Sequence, residues 1–410
     1  MSAKIPAAET RRRFLGVVGS AGALALLGDA RDVLAQAKPE PEAAVAGTVA
    51  NAQVLSEKDS VMKPHSDRPL TASVEAHEHD FDVTPTRRMY IRNNLFTPDL
   101  DASGHRLMLK GLVDKELSFG VEELKQAFPA VTLQAMLECA GSGRTAFQPT
   151  PRGTPWPATG GMGCPSWTGV RLRDLLDAAG VKPNAAHVAG QGGDFGAIAT
   201  IAPVIRSIPM HKAMDGGTLV AWAINDEPLP KIHGYPLRLV VPGWAGSAST
   251  KWLHSLSVLD APFKGTYMDN SYRIPKFPVA VGASMPPDAL ITEGFPVKSM
   301  ITFPAPNARF KGTERITLRG KAWVGEGSIA RVQISTDEGV SWRDASLGSR
   351  GDKYAWRGFS LNFQPERFGY MTFLARATDD RGNVQPIASY WNPLGYFWNG
   401  VHRVGVNIDA

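Results

Sequence analysis

Cysteine is scarce in this 410-residue chain, which contains only Cys139 and Cys164. One disulfide bond, between these two, is therefore the most the chain can form. There is no Cys-x-x-Cys-His motif for c-type haem and no cysteine cluster for an iron–sulfur centre. Any redox chemistry would need a cofactor of a different kind.

Long apolar runs and clusters of basic residues are also missing from most of the chain. The formal net charge is only +5, and beyond residue 13 no lysine- or arginine-rich run occurs. The sequence therefore lacks the basic patch that is typical of nucleic-acid-binding proteins. The most apolar stretch, GVVGSAGALALLG (16–28), is too short and glycine-rich to span a bilayer. The sequence predicts neither a nucleic-acid partner nor a membrane span.

The first 37 residues have the order of an export signal. Paired arginines in TRRRFL (10–15) precede the mildly apolar stretch, and a small-x-small pattern, Ala35-Gln36-Ala37, follows it. This order resembles a twin-arginine signal, which predicts a periplasmic protein. Such exporters carry folded proteins, often because a cofactor was inserted in the cytoplasm.

Residues 38–85, which follow the signal, predict an extended lead segment because alanine, proline, glutamate and serine are common there. His77 and His79 lie beside carboxylates, and this makes a metal site conceivable. Further ligands at suitable spacing are absent, so a solvated polar loop is the preferred interpretation.

Residues 86–280 predict a mixed α+β domain. RLMLKGLV (106–113) and LRLVVPG (237–243) have the pattern of strands. SFGVEELKQAF (118–128) predicts a helix with Ser118 as N-cap, and a second helix is expected to end at Gly180.

Residues 281–410 have a different character. Apolar and polar residues alternate in short runs such as ERITLRGKAWVG (314–325) and YMTFLARATDDRGN (370–383), with Asp-Glu-Gly and Asp-Arg-Gly turns between runs. This spacing predicts an immunoglobulin-like β-sandwich with a structural or interfacial role.

Cys139 permits two interpretations. It follows an apolar run in TLQAMLECAGSGR (132–144), and free cysteine is among the most buried residue types, which favours a core position. Alternatively, its sulfur is presented to a ligand, and the glycines that follow allow close approach of a bulky group.

Several stretches together resemble the sulfite oxidase family of molybdenum-cofactor enzymes, over nearly all of the chain beyond the signal. They occur in the family's order, and it is the ordered set that is specific. The similarity is greatest to haem-free periplasmic sulfite dehydrogenases. The matching stretches are Arg92-Asn93-Asn94, Cys139-Ala140-Gly141 with Arg144, Trp156, SIPMHKAMD (207–215), EPLPKIHGYPLRLVVPG (227–243), KWL (251–253) and HRVGV (402–406).

The resemblance implies that Cys139 is presented to molybdenum as a thiolate, a suitable soft ligand, which leaves Cys164 unpaired. Arg92 and Arg144 match the family's anion-binding arginines, Trp156 lines that pocket, and Tyr272 hydrogen-bonds near the reactive oxygen. Guanidinium groups bind oxyanions such as sulfite bidentately. The residues implied to hold the pterin cofactor are Asn93, Asn94, Asp194, His233, Arg238 and Lys251.

The implied reaction oxidises sulfite to sulfate and passes electrons to an external c-type cytochrome, with molybdopterin as cofactor and no haem in this chain. A homodimer formed through residues 281–410 also follows from the resemblance. Two positions depart from the animal relatives: Asn94 stands where they carry histidine, and Leu394 where they carry an arginine that closes the anion site.

Three alternatives remain open. The chain could be a sulfane-sulfur dehydrogenase subunit, or a molybdenum-dependent sulfoxide reductase, although the reductases typically lack the C-terminal sandwich. It could also be a cofactor-holding module without activity. Such a module would not require Arg92, Arg144 and Tyr272, so these residues favour an enzyme.

Overall fold

The computed structural model describes residues 48–410. The predicted export signal and the start of the lead segment lie outside the described residues. Within residues 48–410, no helix is long and apolar enough to cross a membrane.

Helices are few and short in the described part of the chain. The longest, Leu172–Ala179, ends as predicted at Gly180, whose φ of +70° suits glycine. The α-helices are Asn51–Ser56, Val121–Ala127, Leu172–Ala179, Met210–Ala213 and Thr266–Asp269, and single 3-10 turns are Ala76–His79, Thr86–Arg88, Arg144–Ala146, Lys231–His233 and Gly246–Ala248.

The predicted cap at Ser118 is wrong. Ser118 lies inside the strand Leu117–Gly120, and the helix begins at Val121. The Glu123 carboxylate accepts a hydrogen bond from the Gly120 N–H at 2.9 Å. The helix is therefore capped by the Glu123 side chain, three residues after Gly120, which reaches back to the Gly120 backbone N–H.

The described part of the lead segment is structured rather than extended. After the helix Asn51–Ser56, strands Lys63–Asp67 and Leu70–Ser73 pair antiparallel, and the second also pairs with Ile91–Arg92. The loop predicted around His77 and His79 is a 3-10 turn, with His79 buried edge-on against Trp356. The register places Arg92 opposite Thr71, so this three-stranded sheet fixes the start of the predicted Arg-Asn-Asn segment.

Two larger sheets form the centre of the region before residue 260. The first is antiparallel except where Leu253–Leu259 runs parallel to Arg106–Gly111, and apolar side chains from both sheets share one core with the helix Leu172–Ala179. In order, the first sheet contains Ile205–Pro209, His187–Gly192, Leu253–Leu259, Arg106–Gly111 and Leu117–Gly120, and the second contains Glu227–Pro228, Leu219–Ile224, Ser166–Arg171 and Val131–Gln134, with Arg238–Val240 also pairing with Leu219–Ile224.

Two further sheets occupy residues 298–409. They share a second core, in which Ile301 and Leu318 of one sheet and Ile334 and Phe373 of the other are buried. The first sheet contains Lys298–Phe303, Ile316–Trp323, Arg357–Phe363 and Ser346–Leu347, and the second contains Arg309–Lys311, His402–Asp409, Gly369–Asp379, Ile329–Ser335 and Arg343–Asp344.

The architecture agrees with the predicted α+β class, because mixed sheets with few helices precede two sheets that pack through a common core. The immunoglobulin-like topology of residues 281–410 stays a prediction. Two short ladders complete the described strands, Leu137–Glu138 with Met162–Gly163 and Arg273–Ile274 with Leu290–Ile291. These ladders lead directly into, or out of, the segments that carry Cys139 and Tyr272.

Candidate functional site

A cavity that is partly open to solvent, with about 760 Å³ of empty space including the open part, brings together most of the site residues predicted from the sequence. Those on its wall are Arg92, Asn93, Asn94, Cys139, Asp194, His233, Arg238, Lys251 and Tyr272. They come from segments almost 180 positions apart, and the sheets described above align these segments. Only Arg144 and Trp156 of the predicted set are not on the wall.

Cys139 lies at the end of the strand Leu137–Glu138, with its side chain on the cavity wall. Its N–H donates to the Gly161 carbonyl at 2.8 Å. Gly161 has a φ of +75°, and a Cβ there would lie 3.3 Å from the Cys139 Cβ, so the close approach favours glycine. Both cysteines are free, which excludes the disulfide alternative.

Arg92, Asn94 and Tyr272 form a hydrogen-bonded group on the same wall. Arg92 Nη2 donates to Asn94 Oδ1 at 2.7 Å, and Asn94 Nδ2 donates to the Tyr272 hydroxyl at 3.1 Å. Arg92 Nη1 also donates to the Asn93 carbonyl. A guanidinium, an amide and a phenol are thus presented together, a set of donors suited to an oxyanion.

Two further cationic side chains, Lys251 and Arg238, line the same cavity. Lys251 Nζ donates to the Ile232 carbonyl at 3.0 Å and to Asn93 Oδ1. Arg238 Nη1 donates to the His233 carbonyl at 2.9 Å, and its guanidinium lies 4.7 Å from the centre of the Trp167 ring. Carbonyls and aromatic faces hold these cations in place but supply no full negative charge.

Burial lowers the pKa values of the basic side chains on the cavity wall. It lowers the pKa of Lys251 and of His233 well below the ordinary values, with neighbouring cations adding to the effect. Burial lowers the pKa of Arg238 to about 10. Asp194, the acid on the cavity wall, has its pKa raised by burial to about 6, although Lys251 opposes that shift. An anion bound here would favour the charged forms of these bases and so raise their pKa values again.

The residues fit the molybdopterin group that the sequence resemblance implies. Arg238 Nε and the Ser247 hydroxyl are buried and have no hydrogen-bond partner, and both residues line the cavity. Buried polar atoms are almost always paired, so these donors suit a bound acceptor such as a phosphate. The free thiol of Cys139 is a soft ligand suitable for a metal that brings its own sulfur ligands.

A metal site at His77 and His79 receives no support. Among residues 48–410 no group of three or more histidine, cysteine or acidic side chains is placed to hold a metal ion. Burial lowers the pKa of His79 to about 3, so this residue is a neutral core histidine.

Arg144 is buried in a backbone cage beside the cavity. Its Nε and Nη2 donate to the Leu394 carbonyl at 3.1 and 3.0 Å, and its Nη1 donates to the Thr154 carbonyl at 2.8 Å. Trp156 is fully buried, with its ring edge-on to His65 and Tyr90. The structure therefore does not bring these two side chains to the cavity wall, and their part in binding an anion stays a prediction.

Sequence reasoning missed several residues around the cavity. Lys58 contacts His233 Nε2 at 2.5 Å, yet it is an isolated lysine in a segment without any motif. Arg206 and Tyr396 flank Tyr272, and nothing in their local pattern marks them. Ser247 had a signal, since the small residues GSAST (246–250) follow a strongly apolar strand and allow close approach of a ligand.

Comparison with known proteins agrees with this geometry. Residues 94–267 match the family model for an oxidoreductase molybdopterin binding domain, and residues 289–409 match that for a Mo-co oxidoreductase dimerisation domain. The mitochondrial sulfite oxidase of Drosophila melanogaster is 33% identical over 86% of the chain, and that of Homo sapiens is 32% identical over 92%. The chain spans 64% and 73% of the length of these two relatives.

A solved structure resembles nearly the whole chain. The sulfane dehydrogenase SoxCD of Paracoccus pantotrophus superposes with a TM-score of 0.73 at 27% identity, covering 92% of this chain and 98% of that one. With the family models and the relatives above 30% identity, this likeness covers both sheet-rich regions. The chain belongs to the sulfite oxidase family of molybdopterin oxidoreductases.

Proposed function

We propose that this protein oxidises sulfite to sulfate with a bound molybdenum cofactor and passes the electrons to an external c-type cytochrome. The observation that carries the proposal is the presence of the Arg92 guanidinium, the Tyr272 hydroxyl and the Cys139 thiol on one cavity wall. Sulfite is proposed as the substrate because the relatives described above include sulfite oxidases.

Each residue has a defined task in this proposal. Cys139 holds the metal as a thiolate, and His233, Arg238, Lys251 and Ser247 hold the anionic end of the pterin. When bound, the cofactor supplies the centre for two-electron oxygen transfer. Arg92 binds the oxyanion and neutralises its charge, while Tyr272 and Asn94 orient it by hydrogen bonds.

The proposal includes export and assembly. The twin-arginine pattern at residues 10–15 supports a periplasmic location, where c-type cytochromes are available as acceptors. The match of residues 289–409 to a dimerisation domain supports a homodimer.

A second candidate is oxidation of a sulfane sulfur carried on a partner protein. The likeness to SoxCD, a sulfane dehydrogenase, favours it. The open part of the cavity would have to admit a sulfur atom attached to a flexible segment of a partner protein. Free sulfite is much smaller and needs only a narrow path to the cavity wall.

The test compares substrates on the full-length protein purified with its cofactor. We expect sulfite to reduce a c-type cytochrome, with little turnover of a persulfide-bearing peptide or of methionine sulfoxide with a reductant. Persulfide turnover without sulfite turnover would favour the second candidate.

An arginine variant tests the anion site directly. We expect Arg92→Met to lower kcat/KM for sulfite by about 10- to 100-fold, because a charge-assisted contact contributes roughly 1.5–3 kcal/mol. The exposed Arg106, which pairs with Glu123 at 3.1 Å, is the matched control. Arg106→Met should change kcat/KM by less than about twofold, and an equal loss in both variants would contradict the assignment of Arg92.

A further inference from the structure

Four side chains form a stack beside the cavity, with two tyrosine rings between two guanidinium groups. The rings of Tyr272 and Tyr396 are nearly parallel, 8° apart, with centroids separated by 5.5 Å. The Arg206 Cζ lies 4.8 Å from the Tyr272 centroid, and the Arg144 Cζ lies 5.4 Å from the Tyr396 centroid. Cations attract aromatic faces, so each end of the stack is held electrostatically as well as by packing.

Arg206 also fixes the backbone on both sides of Tyr272. Its Nη1 donates to the Tyr267 carbonyl at 2.8 Å, and its Nη2 donates to the Thr292 carbonyl at 3.1 Å. The Thr292 N–H in turn donates to the Tyr272 carbonyl at 2.8 Å. One guanidinium therefore joins the segment before Tyr272 to the strand that pairs behind it.

Tyr272 needs such support. Its φ of +54° lies in the left-handed region that a tyrosine rarely adopts, and it lies between the helix Thr266–Asp269 and a two-residue strand, Arg273–Ile274. Arg206, in contrast, belongs to Ile205–Pro209, a strand of the first large sheet. The stack thus connects an irregular segment to a rigid one.

Arg206 is buried, and its guanidinium bonds carbonyls rather than a carboxylate. It is 2% exposed, and its hydrogen-bond acceptors are the Tyr267 and Thr292 carbonyls. Its Nε is buried and has no hydrogen-bond partner. A buried charge without an ion pair is costly, and here two carbonyls and the face of the Tyr272 ring offset that cost.

We propose that Arg206 is the positioning residue for Tyr272. By stacking on the ring and bonding the Tyr267 and Thr292 carbonyls, it holds the hydroxyl against Asn94, which also bonds Arg92, where an oxyanion would bind. Arg206 acts through Tyr272 and does not itself touch the substrate. This inference rests on the proposed anion site, because it assigns Tyr272 a role in binding the oxyanion.

The test is a double-mutant cycle of Arg206→Met and Tyr272→Phe on the cofactor-loaded protein, read as kcat/KM for sulfite. We expect Tyr272→Phe to lower kcat/KM by about tenfold, the effect of one lost neutral hydrogen bond, and Arg206→Met to cause a similar loss. The double variant should be little worse than either single one, since both changes remove the same interaction. Arg206→Lys should restore part of the loss, because it keeps the charge but cannot bond both carbonyls at once.

Lys212→Met is the matched control, because Lys212 is likewise buried and lies 4.4 Å from a tyrosine ring centre, that of Tyr354, outside the cavity wall. We expect it to lower Tm and leave kcat/KM unchanged. Multiplicative losses in the cycle, or an unchanged kcat/KM in Arg206→Met, would overturn the proposal. If Arg206→Met does not fold, the cycle is run with Arg206→Lys.

A second measurement separates this proposal from the proposed function. The same cycle is repeated on the Kd for sulfate, measured by calorimetry, which requires no turnover. If the wild type fails to oxidise sulfite but the sulfate cycle is non-additive, the positioning role of Arg206 stands while the proposed reaction fails. Additive effects on the Kd would overturn the positioning role itself.

Discussion

Lys298 forms a buried ion pair with Glu138, the residue directly before Cys139, and the Lys298 Nζ lies 2.8 Å from Glu138 Oε1. Trp323 Nε1 donates to the other carboxylate oxygen at 2.8 Å, and Lys298 Nζ also contacts the Ser142 hydroxyl at 3.2 Å. Lys298 and Trp323 lie opposite each other in neighbouring strands of one sheet, Lys298–Phe303 and Ile316–Trp323. The strand Leu137–Glu138, directly before Cys139, is therefore held in place by the C-terminal region.

We expect Lys298→Met to reduce the free energy of unfolding by about 3–5 kcal/mol, because it leaves the buried Glu138 carboxylate without its cation. The double variant Glu138→Gln/Lys298→Met should recover part of that loss. Denaturant titration of each variant measures the effect. The exposed pair Arg309–Asp409 supplies the control, since Arg309→Met should cost less than about 1 kcal/mol. Equal costs for the two lysine and arginine variants would contradict this account.

Lys58 predicts a pH dependence for the protein without its cofactor. Burial lowers the pKa of Lys58 from 10.5 to about 7, so between these values the unfolded chain binds a proton that the folded protein does not. Stability should therefore rise with pH through this window, by about 2 kcal/mol from pH 7 to 9. Denaturant titration of cofactor-free protein at several pH values measures the slope.

Lys58→Met should reduce that slope, leaving the part that comes from Lys251, whose pKa burial also lowers. Lys63→Met, which changes an exposed lysine of the same segment, should leave the slope unchanged. A bound anion that restores charge to the buried amines should also flatten it in the cofactor-loaded protein. If the slope of the wild type persists in Lys58→Met, another group causes it.

Arg144 offers a contrast with Arg92. Three glycines surround its guanidinium: a Cβ at Gly141, Gly153 or Gly395 would lie 2.6, 2.9 or 3.1 Å from the group. Together with the bonds to the Leu394 and Thr154 carbonyls, this close packing indicates that the Arg144 side chain stabilises the fold. We expect Arg144→Met to lower the free energy of unfolding by about 2 kcal/mol or more, since it leaves buried carbonyls unpaired.

The same variant distinguishes the cage from an anion-binding role. We expect Arg144→Met to change the KM for sulfite less than Arg92→Met does, as measured by steady-state kinetics on the folded fraction. A KM effect as large as that of Arg92→Met, at unchanged stability, would instead support the role that the sequence resemblance assigns to Arg144.

Motifs predicted the wall of the cavity better than they predicted its surroundings. Cys139, His233 and Arg238 lie in ordered stretches whose resemblance to a family could be read directly, and the structure brings all three to one cavity. Lys58 and Arg206 could not be found in this way. Their importance arises from contacts with residues far along the chain, His233 for one and Tyr272 for the other, and such contacts leave no local pattern.

Local structure shows the same limit. Gly180 was predictable as a helix end because a φ of +70° is a property of the residue and its turn. The cap at Ser118 was not, because pairing of Leu117–Gly120 with Arg106–Gly111 holds that serine in a strand. Tertiary pairing overrode a local capping preference.

The two cysteines provide a matched pair for testing the metal ligand. Cys139 lies on the cavity wall, whereas Cys164 is fully buried, and burial raises the pKa of the Cys164 thiol to about 12. Cys139→Ser should leave a folded protein that retains little molybdenum and has almost no sulfite turnover, because a hydroxyl is a harder and far less acidic ligand than a thiol. Cys164→Ser should keep both. Elemental analysis, a thermal melt and the cytochrome assay on each variant test this difference. Alkylation of the native cofactor-free protein should modify Cys139 in preference to Cys164, because Cys164 is fully buried and burial disfavours its reactive thiolate. Full molybdenum content in Cys139→Ser, or its loss in Cys164→Ser, would assign the metal to a different ligand.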